Sequence, residues 1–244
     1  MVPLTRHGVR ELLIGSVVLA VLGMGLGLFF WPLALLIVPA LLFLFAFFRD
    51  PERTLPSEQH AVVSPADGTV SDITETEFDE LIGGPAVRVG IFLSVFNVHV
   101  NRCPCDGRVL SVIYKKGKFI NAMRHNEASD ENESNTIVLA EPEGDRPIAV
   151  VKQIVGLIAR RIVCTTVAGE RVSRGQRIGM IKFGSRTEVT LAKFLQPSIQ
   201  VKVGQTVRGA ADVIALLGNP IHTRSPAPGL GPEMEPLVGR ETPA

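Results

Sequence analysis

"GERVSRGQRIGMIKFGSRTEV", residues 169–189, decides how this chain is read. Gly169, a short polar step, Val172 and Gly175 lead into an apolar strand carrying Ile178, Met180, Ile181 and Phe183. Glycine at both steps supplies the positive φ that tight turns demand. The strand then meets a bare Gly184-Ser185 pair and runs directly into Arg186 and Glu188. One reading of that pair is a turn. The other is chemistry at Ser185, or at the peptide bond just before it.

Working outward, "IQVKVGQTVRGAADVIALL" (199–217) follows the same order of Gly, polar step, Val, Gly and apolar strand. Both segments resemble hairpin modules of the biotinyl/lipoyl type. Between residues 61 and 222 the other apolar runs are short, rich in Val and Ile, and separated by Gly, Pro, Asp and Asn. Many short strands with frequent turn signals predict a mostly β fold, a sandwich or barrel with lipoyl-like hairpin modules. Residues 118–134 are polar and read as a loop or a short helix.

Residues 12–48 contain no charged residue, with Trp31-Pro32 near the middle. A spanning helix needs about 20 apolar residues, so this run suits a hydrophobic helical membrane segment folded as a hairpin over residues 1–50; a single tilted span, or a re-entrant hairpin that does not reach the far side, is the alternative. Arg6, His7 and Arg10 precede it, and Arg49 and Arg53 follow. Basic residues on both flanks place both ends, and the β-rich domain, on the cytoplasmic face of the cell membrane. The polar, Pro-containing stretch 51–60 reads as a linker. Residues 223–244, rich in Pro and Gly, read as a disordered tail.

The formal net charge is +1, with one Trp and one Tyr. Neither a basic stripe nor a stacking platform is present, so nucleic acid is excluded as a partner. Cys103, Cys105 and Cys164 are too few and too irregular for a disulfide framework or a structural zinc site, and no metal is expected.

Of five histidines, His99 lies inside the apolar stretch "LSVFNVHVNRCP" (93–104). Asp67 lies in "SPADGTV" (64–70), where Asp-Gly after Pro is also an ordinary turn. Ser185, His99 and Asp67 come from separate segments. They could form a triad in space, since triads are defined by geometry and not by chain order. Lys182 offers a Ser/Lys alternative, although three residues along a strand point to opposite faces.

Three motifs in order, "SPADGTV", "LSVFNVHVNRCPCDG" (93–107) and the opening stretch, resemble phosphatidylserine decarboxylase in its short, pyruvoyl-dependent, self-processing form. The resemblance spans most of residues 49–217. It implies that Ser185 Oγ attacks the Gly184 carbonyl, that the Gly184–Ser185 bond is cut, and that Ser185 becomes a pyruvoyl group. The two products would be chains 1–184 and 185–244, held together by strand pairing. It assigns His99 as the base and Asp67 as the group orienting its imidazole. Arg102 stands where the family pattern has a second histidine, and is assigned with Asn121 and Glu133 to the substrate. The implied activity is decarboxylation of phosphatidylserine to phosphatidylethanolamine and CO2 at a phospholipid membrane. Homo-oligomer formation is left open. Two other functions fit the residues alone: a membrane-anchored lipoyl-like adaptor without activity, and a membrane-bound Ser peptidase.

Overall fold

The structure, a computed structural model, describes residues 3–120, 125–157, 161–182, 185–219 and 221. The expected tail, 223–244, lies outside the described residues. Helix α1 (Val9–Ala34) is followed by α2 (Ile37–Phe47), which folds back along it. Glycines make the close approach of the two helices feasible. A Cβ on Gly8, Gly15 or Gly23 would meet the side chain of Phe48, Leu44 or Ile37, at 2.1, 2.8 and 3.2 Å. Near the tip, Phe30 leaves the helical region (φ −158°, ψ 100°) two residues before Pro32. Proline has no N–H to continue the helical ladder, and the kink falls there. Thr5 N donates to Phe48 O (2.9 Å) and Asp50 N to Pro3 O (2.8 Å), closing the two ends of the hairpin side by side. Among the described residues one helix, Arg6–Ala34, is long and apolar enough to cross a membrane; α2, with 11 residues, is shorter than a span.

The remainder is antiparallel β structure. An eight-stranded curled sheet contains β2 (Gly68–Asp79), β3 (Gly84–Leu93), β5 (Gly107–Lys115), β6 (Ser134–Ala140), β7 (Pro147–Val155), β9 (Arg171–Val172), β11 (Ser185–Ala192) and β13 (Thr206–Val207). Its order is β13-β2-β3-β11-β7-β6-β5-β9. Two three-stranded sheets complete the fold. One joins β1 (Ala61–Val63), β14 (Val213–Leu217) and β12 (Pro197–Ile199); the other joins β4 (Val100–Arg102), β10 (Arg177–Lys182) and β8 (Arg161–Cys164). The polar stretch 118–134 holds the short helix α3 (His125–Glu131). Val89, Ile137, Val151 and Val189, from four neighbouring strands of the large sheet, sit in the main core.

The two lipoyl-like segments adopt the same path. Gly169 and Gly204 both have φ 87°, and Gly175 and Ala210 follow at φ 81° and 62°. Each segment clips onto one copy of a second repeat that pattern reading overlooked, "SPADGTV" at 64–70 and "CPCDGRV" at 103–109. Gly204 N donates to Val70 O and Gly169 N to Val109 O, both at 2.8 Å. Ala210 N reaches Ser64 O (2.9 Å) and Gly175 N reaches Cys103 O (2.8 Å). Asp67 Oδ1 accepts from Gly209 N (2.7 Å), and Asp106 Oδ1 accepts from Arg174 N (2.8 Å). The catalytic-type motif around Asp67 is therefore one half of an internal duplication.

Candidate active site

Strand β11 places Ser185 at its first position, in register with Leu93 on β3 and Val155 on β7. Its Oγ is fully buried and has no hydrogen-bond partner among the described residues. A buried hydroxyl without a partner gives up free energy, on the order of 1–3 kcal/mol, so its retention calls for a reason, and a reactive role is one. Phe183 and Gly184, the expected cleavage position, lie outside the described residues.

His99 precedes β4 and is held by backbone pairing with β10: Ile181 N donates to His99 O at 3.2 Å. The ring is fully buried. Its Nδ1 lies 2.9 Å from Asn97 O, and a carbonyl can only accept, so Nδ1 carries the proton. The Phe47 ring from α2 lies against the imidazole, with centroids 4.3 Å apart and a 33° tilt. Burial, helped by the nearby Arg49 charge, lowers the imidazole pKa from 6.5 to about 4. His99 is thus neutral at pH 7, with the tautomer that leaves Nε2 able to act as a base. Asn101, two residues further along, donates from Nδ2 to Thr187 Oγ1 (3.0 Å). His99 stands two residues before Asn101, just outside β4, and its carbonyl pairs with Ile181, four residues before Ser185 in the chain.

The other expected residues are placed differently. Asp67 does not meet His99. Its carboxylate accepts from Gly209 N and from Arg53 Nη2, each at 2.7 Å, while Asn97 O has taken His99 Nδ1. Burial raises the Asp67 pKa in spite of Gly209 N and Arg53. The guanidinium of Arg102 is buried and committed to the protein: it reaches Asp50 Oδ1 (2.8 Å), Pro51 O (3.0 Å) and Gly175 O (3.2 Å). Asp50 Oδ2 accepts from Arg177 Nε at 2.5 Å, so Arg102 and Arg177 anchor the end of the hairpin to β4 and β10. Glu133 is half-buried; its carbonyl accepts from Val155 N (3.1 Å), one strand beyond Ser185. Asn121 lies outside the described residues. Its neighbour Ile120 is tied to the Ser185 end of the sheet by Asn132, whose side chain bonds Ile120 N, Ile120 O and Val155 O, all at 2.8 Å. Lys182 Nζ donates to Glu11 Oε1 of α1 (2.7 Å), which engages it away from a base role.

On the opposite face of β11 the fully buried Arg186 guanidinium bonds Asp72 Oδ1 (2.6 Å), Glu188 Oε1 (2.9 Å) and Ser71 Oγ. Gly90 provides its slot, since a Cβ there would stand 2.1 Å from Arg186 Nη2. Burial pulls the Asp72 pKa up, but Arg186, together with Ser71 and Arg88, outweighs it and the net direction is down. Arg186 and Phe47 were legible only as a charge after Ser185 and an apolar position in a long run. Asn97, as the partner of His99, carried no signal. Three cysteines are free thiols, and burial pushes Cys105 up to about 12, which keeps it inert. Among the described residues no cluster of side chains is suited to a metal.

Comparison with known proteins points in one direction. Residues 40–215 match the profile of the family described as phosphatidylserine decarboxylase. A phosphatidylserine decarboxylase proenzyme of Rhodopirellula baltica is 45% identical over 213 residues, covering 87% of this chain and 88% of the relative. That of Solidesulfovibrio magneticus is 48% identical over 186 residues, covering 76% and 84%. That of Cupriavidus taiwanensis is 41% identical over 215 residues, covering 88% and 96%.

Proposed function

Since this chain belongs to the phosphatidylserine decarboxylase family, we propose that it is a proenzyme that cuts itself between Gly184 and Ser185 and then converts phosphatidylserine to phosphatidylethanolamine and CO2. The observation that carries the proposal is the buried Ser185 Oγ at the start of β11, which has no hydrogen-bond partner among the described residues; the neutral His99 is the base assigned to it. In the first step Oγ attacks the Gly184 carbonyl as its proton passes to His99 Nε2. The residue 185 nitrogen takes that proton back from His99 as the C–N bond breaks, and residue 184 is carried as an ester on the residue 185 oxygen. Loss of the Cα proton of residue 185 expels the Gly184 carboxylate from Cβ and leaves dehydroalanine. Addition of water and loss of ammonia convert it to a pyruvoyl group. When present, that group supplies the electron sink for CO2 loss, as pyridoxal phosphate does elsewhere.

The residues fit such a group. Position 185 is held between β3 and β7 by backbone pairing that does not depend on the bond before it, so chain 185–244 stays in place after the cut. Asn97 O orients the imidazole. Asp67 supports the base indirectly, by fixing the 64–70 turn to Gly209 and to Arg53 of the linker. Arg102 serves better as the anchor of Asp50 than as a substrate anion site, and Glu133 remains as a polar group at the Ser185 end.

The hairpin, residues 1–50, would hold the catalytic domain (61–222) at the cytoplasmic face of the membrane, with 51–60 as linker. Exposed Phe96, Phe119 and Leu157 support this orientation. Phe96 and Leu157 follow the strand ends paired with Ser185, and Phe96 packs edge-on against Phe43 of α2 at 6.0 Å. The peptidase reading is weakened by the Lys182–Glu11 pair, and an adaptor gives no reason for a buried Ser185 Oγ without a partner among the described residues.

The test is denaturing electrophoresis with mass measurement of the purified protein. The expected result is a fragment 185–244 with a blocked amino terminus, lighter than the hydrolysis product by the difference between an amine-bearing Ser and a pyruvoyl group. Ser185→Ala should remain one chain without decarboxylase activity. An intact chain in an active wild-type preparation would overturn the proposal.

A further inference from the structure

The face of β11 that carries Ser185 is apolar over most of the large sheet, with one exception. Val89, Val189, Val151 and Ile137 form one transverse row, and Val87, Leu191, Ala149 and Leu139 the next. The row adjoining Ser185 is instead polar on three strands: Thr187, Gln153 and Asn135 lie directly opposite one another. All three are buried. Buried polar side chains cost stability unless they are bonded, and these are bonded in a ladder. Asn135 Nδ2 donates to Gln153 Oε1 (3.0 Å), Gln153 Nε2 donates to Asn101 Oδ1 (2.9 Å), and Asn101 Nδ2 donates to Thr187 Oγ1 (3.0 Å).

Asn101 is the member from elsewhere. It lies on β4, in the small sheet, whereas the other three lie on the large one. Among the described residues no backbone hydrogen bond joins β4 to β11. His99 stands two residues before Asn101 at the entry to β4, and Ser185 and Thr187 share one face of β11. The Asn101–Thr187 bond therefore sets the strand bearing His99 against the strand bearing Ser185. Resting on the function proposed above, the cut at 184 would remove the covalent link between β10 and β11. The ladder would then still fix the offset between the two sheets.

We propose that the Thr187–Asn101–Gln153 ladder is a positioning device that holds His99 at residue 185, both for self-cleavage and for turnover afterwards. None of its members needs to touch substrate. Thr187→Val keeps the shape but leaves Asn101 Nδ2 without its acceptor; Thr187→Ser restores the acceptor. Gln153→Met breaks the ladder one step away.

Each variant is expressed as the full chain, and the cleavage rate is followed on denaturing gels. The kcat and KM of the processed fraction are then measured in phosphatidylserine-containing detergent micelles. Thr187→Val should slow cleavage about tenfold or more and lower kcat with little change in KM, as expected for misaligned groups. Thr187→Ser should return to within about threefold of wild type. Gln153→Met should behave like Thr187→Val, and it carries the test if Thr187→Val does not fold. Wild-type rates in Thr187→Val, equal losses in Thr187→Ser and Thr187→Val, or failure of both ladder-breaking variants to fold would each overturn the positioning role. An uncut wild-type chain, or cleavage in Ser185→Ala, would instead overturn the proposed function on which it rests.

Discussion

Phe47 of the apolar hairpin lies against the imidazole of His99, ring to ring at 4.3 Å, so the membrane-type segment forms one wall of the proposed active site. Phe47 is itself buried with Phe48, Leu12 and Met180 in a small core between hairpin and β10. The segment that would hold the enzyme at the bilayer thus also sets the environment of its base.

That contact predicts a coupled effect of Phe47→Ala. Truncating a buried ring costs about 3–5 kcal/mol, which should appear as a lower urea midpoint. Opening the wall to water should also raise the His99 pKa from about 4 toward 6.5, because burial is the main cause of its depression. A nuclear magnetic resonance titration of the ring reads this directly. An unchanged His99 pKa in a folded variant would refute the coupling.

The same depression makes stability depend on pH with a defined sign. The folded-state pKa lies below the unfolded value of 6.5, so the unfolded chain takes up the proton first as pH falls. The contribution is fully present above 6.5 and is lost progressively as pH drops through about 4, amounting to roughly 3 kcal/mol. Urea unfolding of Ser185→Ala at pH 7.5 and at pH 4.5 should show the loss, and adding His99→Gln should shrink it. Equal pH dependence with and without His99 would rule this out.

On the other face of β11, Gly90→Ala should evict the Arg186 guanidinium from its slot. Asp72 and Glu188 would then lose their buried partner. Breaking such a pair costs about 3–5 kcal/mol, and Arg186→Met should cost a similar amount. Denaturant midpoints measure both. A Gly90→Ala protein as stable as the parent would mean that the guanidinium can shift without penalty.

The Lys182–Glu11 pair should fasten the hairpin to β10. Lys182 has 6% of its side chain exposed, so either single charge reversal leaves like charges together with little water to screen them. Glu11→Lys should loosen the hairpin and speed protease cutting in the 51–60 linker. The double variant Glu11→Lys with Lys182→Glu should recover protection corresponding to a coupling of about 1–3 kcal/mol. No recovery in the double variant would show that the two charges act independently.

Much of this was legible in the sequence. Short Val- and Ile-rich runs between turn residues marked the β domain, and the glycines at 169, 175 and 204 stand where the backbone takes positive φ. The uninterrupted apolar run marked the helices. Ser185 and His99 stood out because a bare Gly-Ser pair and a His inside an apolar strand are unusual in their surroundings. Local periodicity gives no partner across the fold, however. Asp67 was expected on His99, yet in both copies of the duplicated motif the Asp accepts from a backbone N–H of the clipped-on segment. Arg102 was expected at a substrate anion, and its guanidinium is held by the buried Asp50.

By itself the sequence determined the strands, the apolar hairpin, the family and the Ser that breaks the pattern, because these follow from residue type and short-range spacing. Only the tertiary structure decided the His99 tautomer, the Phe47 wall, the Arg186 slot and the ladder from Asn135 to Thr187. Each of these joins groups brought together by chain folding, and the strength of a buried polar contact depends on the water excluded around it. That exclusion is a property of the packed whole, which no single segment carries.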